Sequence, residues 1–279
     1  MRSMTTTRKL IIFTDLDGTL LDRNTYAFEQ ATPALLFIQQ KNIPLVFSSS
    51  KTRAEIEFYR RKLENDHPFI SENGGAVFVP RYYFSFPFSH DRESGEYLVL
   101  EFGAFHPHIR ETLEAIKKET GIKIRGFSDL TEKEIASLCG LSMIEAGYAK
   151  KREYDEPFMV EGGDKEVEKV REKIEEMGLS YVWGGKFHHI LGKNDKGKAV
   201  EILKEFYEKQ FLSILTVGIG DSLNDLPMLS VVDLPVFLKG KDNVSEEVLS
   251  AIQNITMVDD TGPQAWNELI LNMLHKLGI

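Results

Sequence analysis

At 279 residues the chain has room for one large domain or two small ones. Hydrophobic residues at 42% and charged residues at 28% are ordinary globular usage, which excludes fibrous and disordered chains. Asp and Glu number 43 against 34 Lys and Arg, a net charge of −9 without any basic run, which argues against nucleic acid or an anionic membrane as partner.

The lone Cys139 excludes an internal disulfide and a cysteine-rich zinc site. No apolar stretch approaches the ~18 residues that spanning a bilayer needs. The run Leu10-Ile11-Ile12-Phe13 after Met1–Lys9 is too short for a signal-peptide core and ends in an acidic turn. These features lead us to expect a cytoplasmic enzyme.

In chain order, short apolar runs end in small or acidic residues. Lys9 to Thr14 stops at Asp15, Ile43 to Phe47 at Ser48-Ser49-Ser50, and Phe69-Ile70 at Ser71-Glu72-Asn73-Gly74-Gly75. Later, Ile214 to Ile219 stops at Gly220-Asp221, and Val236 to Leu238 at Lys239-Gly240. Continuously apolar strands are buried on both faces, as in a parallel sheet covered by helices. Thr32-Pro33 and Thr261-Gly262-Pro263 read as helix starts before amphipathic runs. The expected core is therefore α/β, a doubly wound, Rossmann-like parallel sheet.

The middle has a different texture. Tyr97–Phe102, Ile122–Arg125, Ser180–Trp183 and Phe187–Leu191 read as exposed-face strands, with helices expected over His108–Thr120, Ser142–Lys151 and Asp164–Met177. Thr131 to Glu134 fits a capping box, and Gly184-Gly185 a hairpin. The expected organisation is a core at 1–84 and 191–279 with an α+β insert at 85–190. The aromatic stretch Arg81 to Phe88 reads as a hydrophobic junction between core and insert.

Chemistry concentrates at the strand ends. In Asp15-Leu16-Asp17-Gly18-Thr19 two carboxylates follow a buried strand, at the edge where open α/β sheets bind ligands. Gly220-Asp221-Ser222-Leu223-Asn224-Asp225 repeats the arrangement; it is neither a dinucleotide fingerprint nor a nucleophile elbow. Asp221 gathered with Asp15 and Asp17 would make an oxygen-rich site of the kind Mg²⁺ favours. Ser49 closes the second strand, where its hydroxyl and nearby N–H groups can hold phosphate oxygens. Lys196 opens a helix whose N-terminus favours anions.

In chain order (Asp15–Thr19, Ser49, Lys196, Gly220–Asp225) these four segments resemble the haloacid dehalogenase-like phosphohydrolases, and the long insert resembles the α/β cap of that superfamily's Cof-type branch. The resemblance implies Asp15 as the nucleophile forming an aspartyl-phosphate and Asp17 as general acid and then base. It implies Ser49 and Lys196 as phosphate ligands, and Mg²⁺ held by Asp15, the Asp17 carbonyl and Asp221, with Asn224 and Asp225 supporting. Within the branch, Ser48–Thr52, Glu72–Ala76 and Arg152–Phe158 resemble the mannosyl-3-phosphoglycerate phosphatase family, implying a glycosyl-phosphoglycerate or phosphorylated-sugar substrate. Lys51 or Arg152 is then the candidate for the substrate carboxylate, and Asn73 with its neighbour Gly74, Glu156 and His188 for the sugar. Strand alternation sends His188 and His189 to opposite faces, so a structural role is expected for that pair. Another sugar-phosphate phosphatase and a phosphomannomutase-like phosphotransferase remain the alternatives.

Overall fold

The computed structural model describes residues 8–184, 186–240 and 252–279. The first residues of the chain and Gly185 of the expected hairpin lie outside them. Six parallel strands form most of a nine-stranded sheet: β1 (Lys9–Thr14), β2 (Leu45–Ser48), β3 (Phe69–Ser71), β11 (Ile214–Gly220), β12 (Leu234–Leu238) and β13 (Thr256–Val258). Three antiparallel strands, β4 (Ala76–Pro80), β5 (Arg92–Ser94) and β6 (Tyr97–Glu101), complete it in the order β13-β12-β11-β1-β2-β3-β4-β6-β5.

Alternation along β1 explains the layering. Leu10 and Ile12 enter one apolar cluster with Ala34 and Ile38 of α1 (Thr32–Gln40), Ile56 and Tyr59 of α2 (Arg53–Lys62), and Trp266, Ile270 and Leu274 of α9 (Gly262–Lys276). Ile11 and Phe13 enter the other, with Ala199, Val200, Leu203 and Tyr207 of α7 (Lys196–Phe211) and Met228 and Leu229 of α8 (Leu226–Ser230). Helices on both faces thus leave the strand ends as the exposed edge. Thr32, expected as a helix cap, lies inside α1, with a short 3₁₀ turn Glu29–Ala31 before it.

A second, antiparallel sheet has the order β7 (Lys123–Gly126), β8 (Asp155–Glu161), β10 (His188–Leu191), β9 (Ser180–Trp183). Ile109, Leu113 and Ile116 of α3 (His106–Thr120) and Val170 and Ile174 of α6 (Asp164–Glu176) pack with Phe158 and Ile190 of this sheet. Another cluster joins Ile135 and Cys139 of α4 (Glu132–Cys139) to Ala146 and Ala149 of α5 (Met143–Ala149), with Met159 and Phe187 against it. Capping boxes at Thr131 and Ser142 start these two helices.

One strand of the expected insert sits elsewhere. Tyr97–Glu101 pairs with β4 in the large sheet, from Ala76 opposite Glu101 to Pro80 opposite Tyr97. Tyr97 meets Phe69 and Phe78 edge-on at 5.4 and 5.9 Å, so its buried face extends the core instead of starting a second one. The aromatic stretch likewise packs on core helix α7, Phe84 and Phe88 lying 5.4 and 4.7 Å from Phe206.

Candidate active site

The tight turn after β1 aims two carboxylates differently. The Gly18 N–H donates to the Leu21 carbonyl at 2.8 Å, and Gly18 has φ +82°, which L side chains rarely adopt. A Cβ there would also collide with the Asp221 carboxylate. Asp15 points into the core, and its Oδ1 accepts from Lys196 Nζ at 2.6 Å. Asp17 turns the other way: its Oδ2 pairs with Lys51 Nζ at 2.9 Å, while its Oδ1 is buried without a hydrogen-bond partner.

Lys196 starts α7 behind the cap residue Asp195, whose side chain accepts from the Lys198 N–H at 2.9 Å. Its ammonium is buried and also meets Asp225 Oδ1 at 2.6 Å. The other Asp225 oxygen accepts the N–H groups of Asp221 and Ser222, both at 3.0 Å. Asp221 pairs with Arg23. Oxygens of Asp15, Asp221 and Asp225 lie within 4.8 Å of one another. Asp225, expected behind the site, therefore stands in the acidic cluster, whereas the Asp17 carboxylate stays out of it.

Burial pushes the Asp15 carboxyl well above the usual range; Lys196 opposes this, and Asp225 and Asp221 add to it. Burial and Asp225 push Asp221 up to about 7 against the pull of Arg23. Desolvation works against the Lys196 charge, but Asp15 and Asp225 raise it above its ordinary value. Three clustered buried carboxylates with one buried ammonium leave surplus negative charge, and an all-oxygen donor set suits a hard divalent cation.

The second loop differs in part from expectation. Ser49 is buried, its Oγ accepting the Lys51 N–H at 3.3 Å, and Ser50 is the serine that lines the cavity. That cavity, about 270 Å³, lies between the acidic cluster and the second sheet. Lys51 and Arg152 line it but are engaged. Lys51 lies 3.7 Å from Glu55 Oε1 in addition to its Asp17 pair. Arg152 donates to the Ser50 carbonyl at 2.8 Å and the Ala149 carbonyl at 2.9 Å, with Glu55 Oε2 at 3.8 Å.

Four other candidates support the site from outside its walls. Glu156 accepts from the Ser128 N–H at 2.7 Å and lies 2.7 Å from His106 Nε2, binding β8 to its neighbours. His188 Nδ1 bonds the Tyr181 hydroxyl at 2.7 Å on the face away from the cavity, and its ring packs 4.8 Å from Trp183. Asn73 is a bridge: its Nδ2 donates to Asp155 Oδ2 at 2.8 Å, and its Oδ1 accepts from Asn224 at 2.9 Å. Gly74, at φ +83°, brings its loop against the Asp195 backbone, directly before Lys196. Gly74→Ala should therefore push that helix start away and lower kcat by about 10²-fold, readable in steady-state kinetics; near-normal turnover would refute this positioning.

Sequence reasoning missed His189, Arg23 and Tyr26. His189 lines the cavity, with Nδ1 at 2.9 Å from Asp155 Oδ1. Arg23 and Tyr26 also line it, and the Tyr26 hydroxyl donates to the Cys139 carbonyl at 2.9 Å. Periodicity carries no signal for Arg23 and Tyr26, which lie in an irregular turn. For His189, strand alternation separates it from His188, and the register opposite Pro157, itself a cavity residue, decides which of the two faces the cavity.

A buried carboxylate held by a buried lysine, and an acidic cluster at the carboxyl edge of a doubly wound sheet beneath an inserted α+β unit, suit a phosphoryl-group hydrolase. Residues 12–90 match the haloacid dehalogenase-like hydrolase family. The glucosyl-3-phosphoglycerate/mannosyl-3-phosphoglycerate phosphatase of Methanococcoides burtonii is 48% identical over 96% of this chain and 98% of its own length. The protein of the same description from Persephonella marina is 40% identical, over 96% and 98%. The mannosyl-3-phosphoglycerate phosphatase of Pyrococcus horikoshii is 37% identical, over 89% and 98%. In fold, a Thermoplasma acidophilum protein superposes with a TM-score of 0.67 at 20% identity, over 97% of this chain and 99% of its own. A haloalkanoate dehalogenase-superfamily phosphatase from Bacteroides thetaiotaomicron gives 0.65 at 18%, over 100% and 98%. The chain belongs to the haloacid dehalogenase-like hydrolases and is a phosphatase of that family. Among the described residues, no helix is long and apolar enough to cross a membrane.

Proposed function

We propose that this phosphatase removes the phosphate from mannosyl-3-phosphoglycerate or its glucosyl counterpart, releasing the glycosylglycerate, in the cytoplasm. The observation carrying this reading is the near full-length likeness to relatives of that description, joined to a cavity whose floor is Asp15, Asp17 and Asp221. The insert, which we place between Gly103 and Gly192, would select the leaving group.

Asp15 is the proposed nucleophile. With Oδ1 held by Lys196, its second oxygen attacks phosphorus as the ester P–O bond breaks, and the leaving oxygen takes a proton from Asp17. Asp17 then takes a proton from water, whose oxygen attacks phosphorus and frees the Asp15 carboxylate. One side chain thus serves as acid and base in two in-line displacements. Lys196 and the Ser49 loop hold the phosphoryl oxygens, and Lys51 fixes the Asp17 side chain. Asp15, Asp221 and the Asp17 carbonyl would hold Mg²⁺, with Asn224 and Asp225 as supports. When bound, that ion supplies positive charge that offsets repulsion between carboxylate and phosphate.

Phosphate release should be detected from both glycosyl-phosphoglycerates, be lost with a chelator and return with Mg²⁺. Clear preference for hexose monophosphates would overturn the substrate, leaving the chemistry standing. Because the Asp221 carboxyl sits near pH 7, a cation competes with a proton below it. The half-saturating Mg²⁺ concentration should accordingly fall as pH rises through about 7, as titration at several pH values would record. In the absence of a cation the sign for folding is opposite: a raised carboxyl pKa costs stability as pH rises from 3.8 to about 7.

A further inference from the structure

We propose that the insert's wall of the cavity is a carboxylate-recognition site built on His189 and Lys186, which makes the acidic end of the leaving group the feature that the enzyme selects. This rests on the substrate reading above and deepens it.

The charges around the cavity are divided by origin. Its carboxylates, Asp15, Asp17, Glu55 and Asp221, all come from the core, while the insert contributes Arg152, Lys186 and His189 and no acid. The core's own cations at the cavity, Lys51 and Arg23, pair with Asp17 and Asp221, so a phosphoester bearing a second negative charge is better complemented on the insert's side. Of the cations there, Arg152 is already held by two carbonyls and Glu55.

His189 is set up to meet an anion. Its Nδ1 lies 2.9 and 3.0 Å from the two oxygens of Asp155, which is fully buried. Asn73 holds that carboxylate in place at 2.8 Å. A proton on Nδ1 therefore faces Asp155, and a doubly protonated ring presents Nε2 to the cavity as its second donor. Among the described residues no group hydrogen-bonds Nε2. The glycine at 184 keeps that atom open, because a Cβ there would lie 2.6 Å from it. Two residues on, Lys186 is exposed at the cavity, its ammonium 5.9 Å from the centre of the Phe187 ring, with no carboxylate partner among the described residues. A ring donor backed by Asp155 and an ammonium on one hairpin, with no acid of the insert lining the cavity beside them, suit a carboxylate better than a sugar hydroxyl.

The test compares mannosyl-3-phosphoglycerate with its neutral carboxamide on the wild-type enzyme and on Lys186→Met, His189→Gln and Gly184→Ala. Wild type should favour the acid by at least about tenfold in kcat/KM, and each variant should reduce that preference about tenfold, chiefly through KM for the acid. Lys186 is exposed, so its variant stays informative if His189→Gln folds poorly. Equal losses on acid and amide in every variant, or no wild-type preference, would overturn the carboxylate site and leave the substrate reading intact. A wild type that hydrolyses neither compound but does hydrolyse hexose phosphates would instead overturn the substrate reading, and this site with it.

Discussion

Asp15→Asn should lower kcat by at least about 10⁴-fold and leave the protein folded. Asparagine has the shape of aspartate but no nucleophilic oxygen, so the first displacement loses its attacking atom. Folding should not suffer, because the charged form of Asp15 is disfavoured by burial and by Asp225 and Asp221. Lys196 would keep its 2.6 Å contact with Asp225. The melting temperature should hold or rise, since one buried carboxylate fewer competes for one ammonium. Steady-state kinetics and thermal melting on the same sample separate the two effects. Residual turnover within about 10²-fold of wild type would remove Asp15 from the chemistry.

Lys196→Met should damage activity and stability together. The ammonium is buried between Asp15 and Asp225, and removing one partner of a buried ion pair costs about 3–5 kcal/mol. In a chain of this size the melting temperature should drop by roughly 10 °C. Turnover should fall by at least about 10³-fold, because among the described residues no other buried cation touches Asp15. The stability loss should shrink at acidic pH, where Asp15, whose carboxyl burial holds well above the usual range, accepts a proton and no longer needs a counter-charge. A melting temperature unchanged from wild type at neutral pH would contradict the role given to this lysine.

Much of this site was legible because it is local. A buried strand ending in Asp-Leu-Asp-Gly places two acids at a sheet edge wherever it occurs, and Gly220-Asp221 does so again. Side-chain direction was not legible. The turn at Gly18 aims the Asp17 carboxylate toward Lys51, while the Asp221 and Ser222 amides draw Asp225 in beside Asp15 and Asp221. Both outcomes depend on partners remote in sequence or on a backbone path that residue spacing does not encode.

The insert shows the same limit. Tyr97–Glu101 has an alternating pattern that serves equally well at the margin of a large sheet or inside a small one, and contact with Phe69 and Phe78 decides between them. For His188 and His189 the alternation was legible. Which face met the cavity was not, since that depends on α3 and α6 packing on the Phe158 side. Arg152 and Lys51 looked available for a ligand because a sequence displays cations without their partners; Glu55 supplies one to both.

The most direct test of the two-step mechanism is the stereochemical course at phosphorus. A substrate whose transferred group is a thiophosphate made chiral by oxygen isotopes would be hydrolysed in isotopically labelled water, and the product's configuration determined. Two in-line displacements through Asp15 predict overall retention; inversion would mean that water attacks the ester directly and that no aspartyl-phosphate forms.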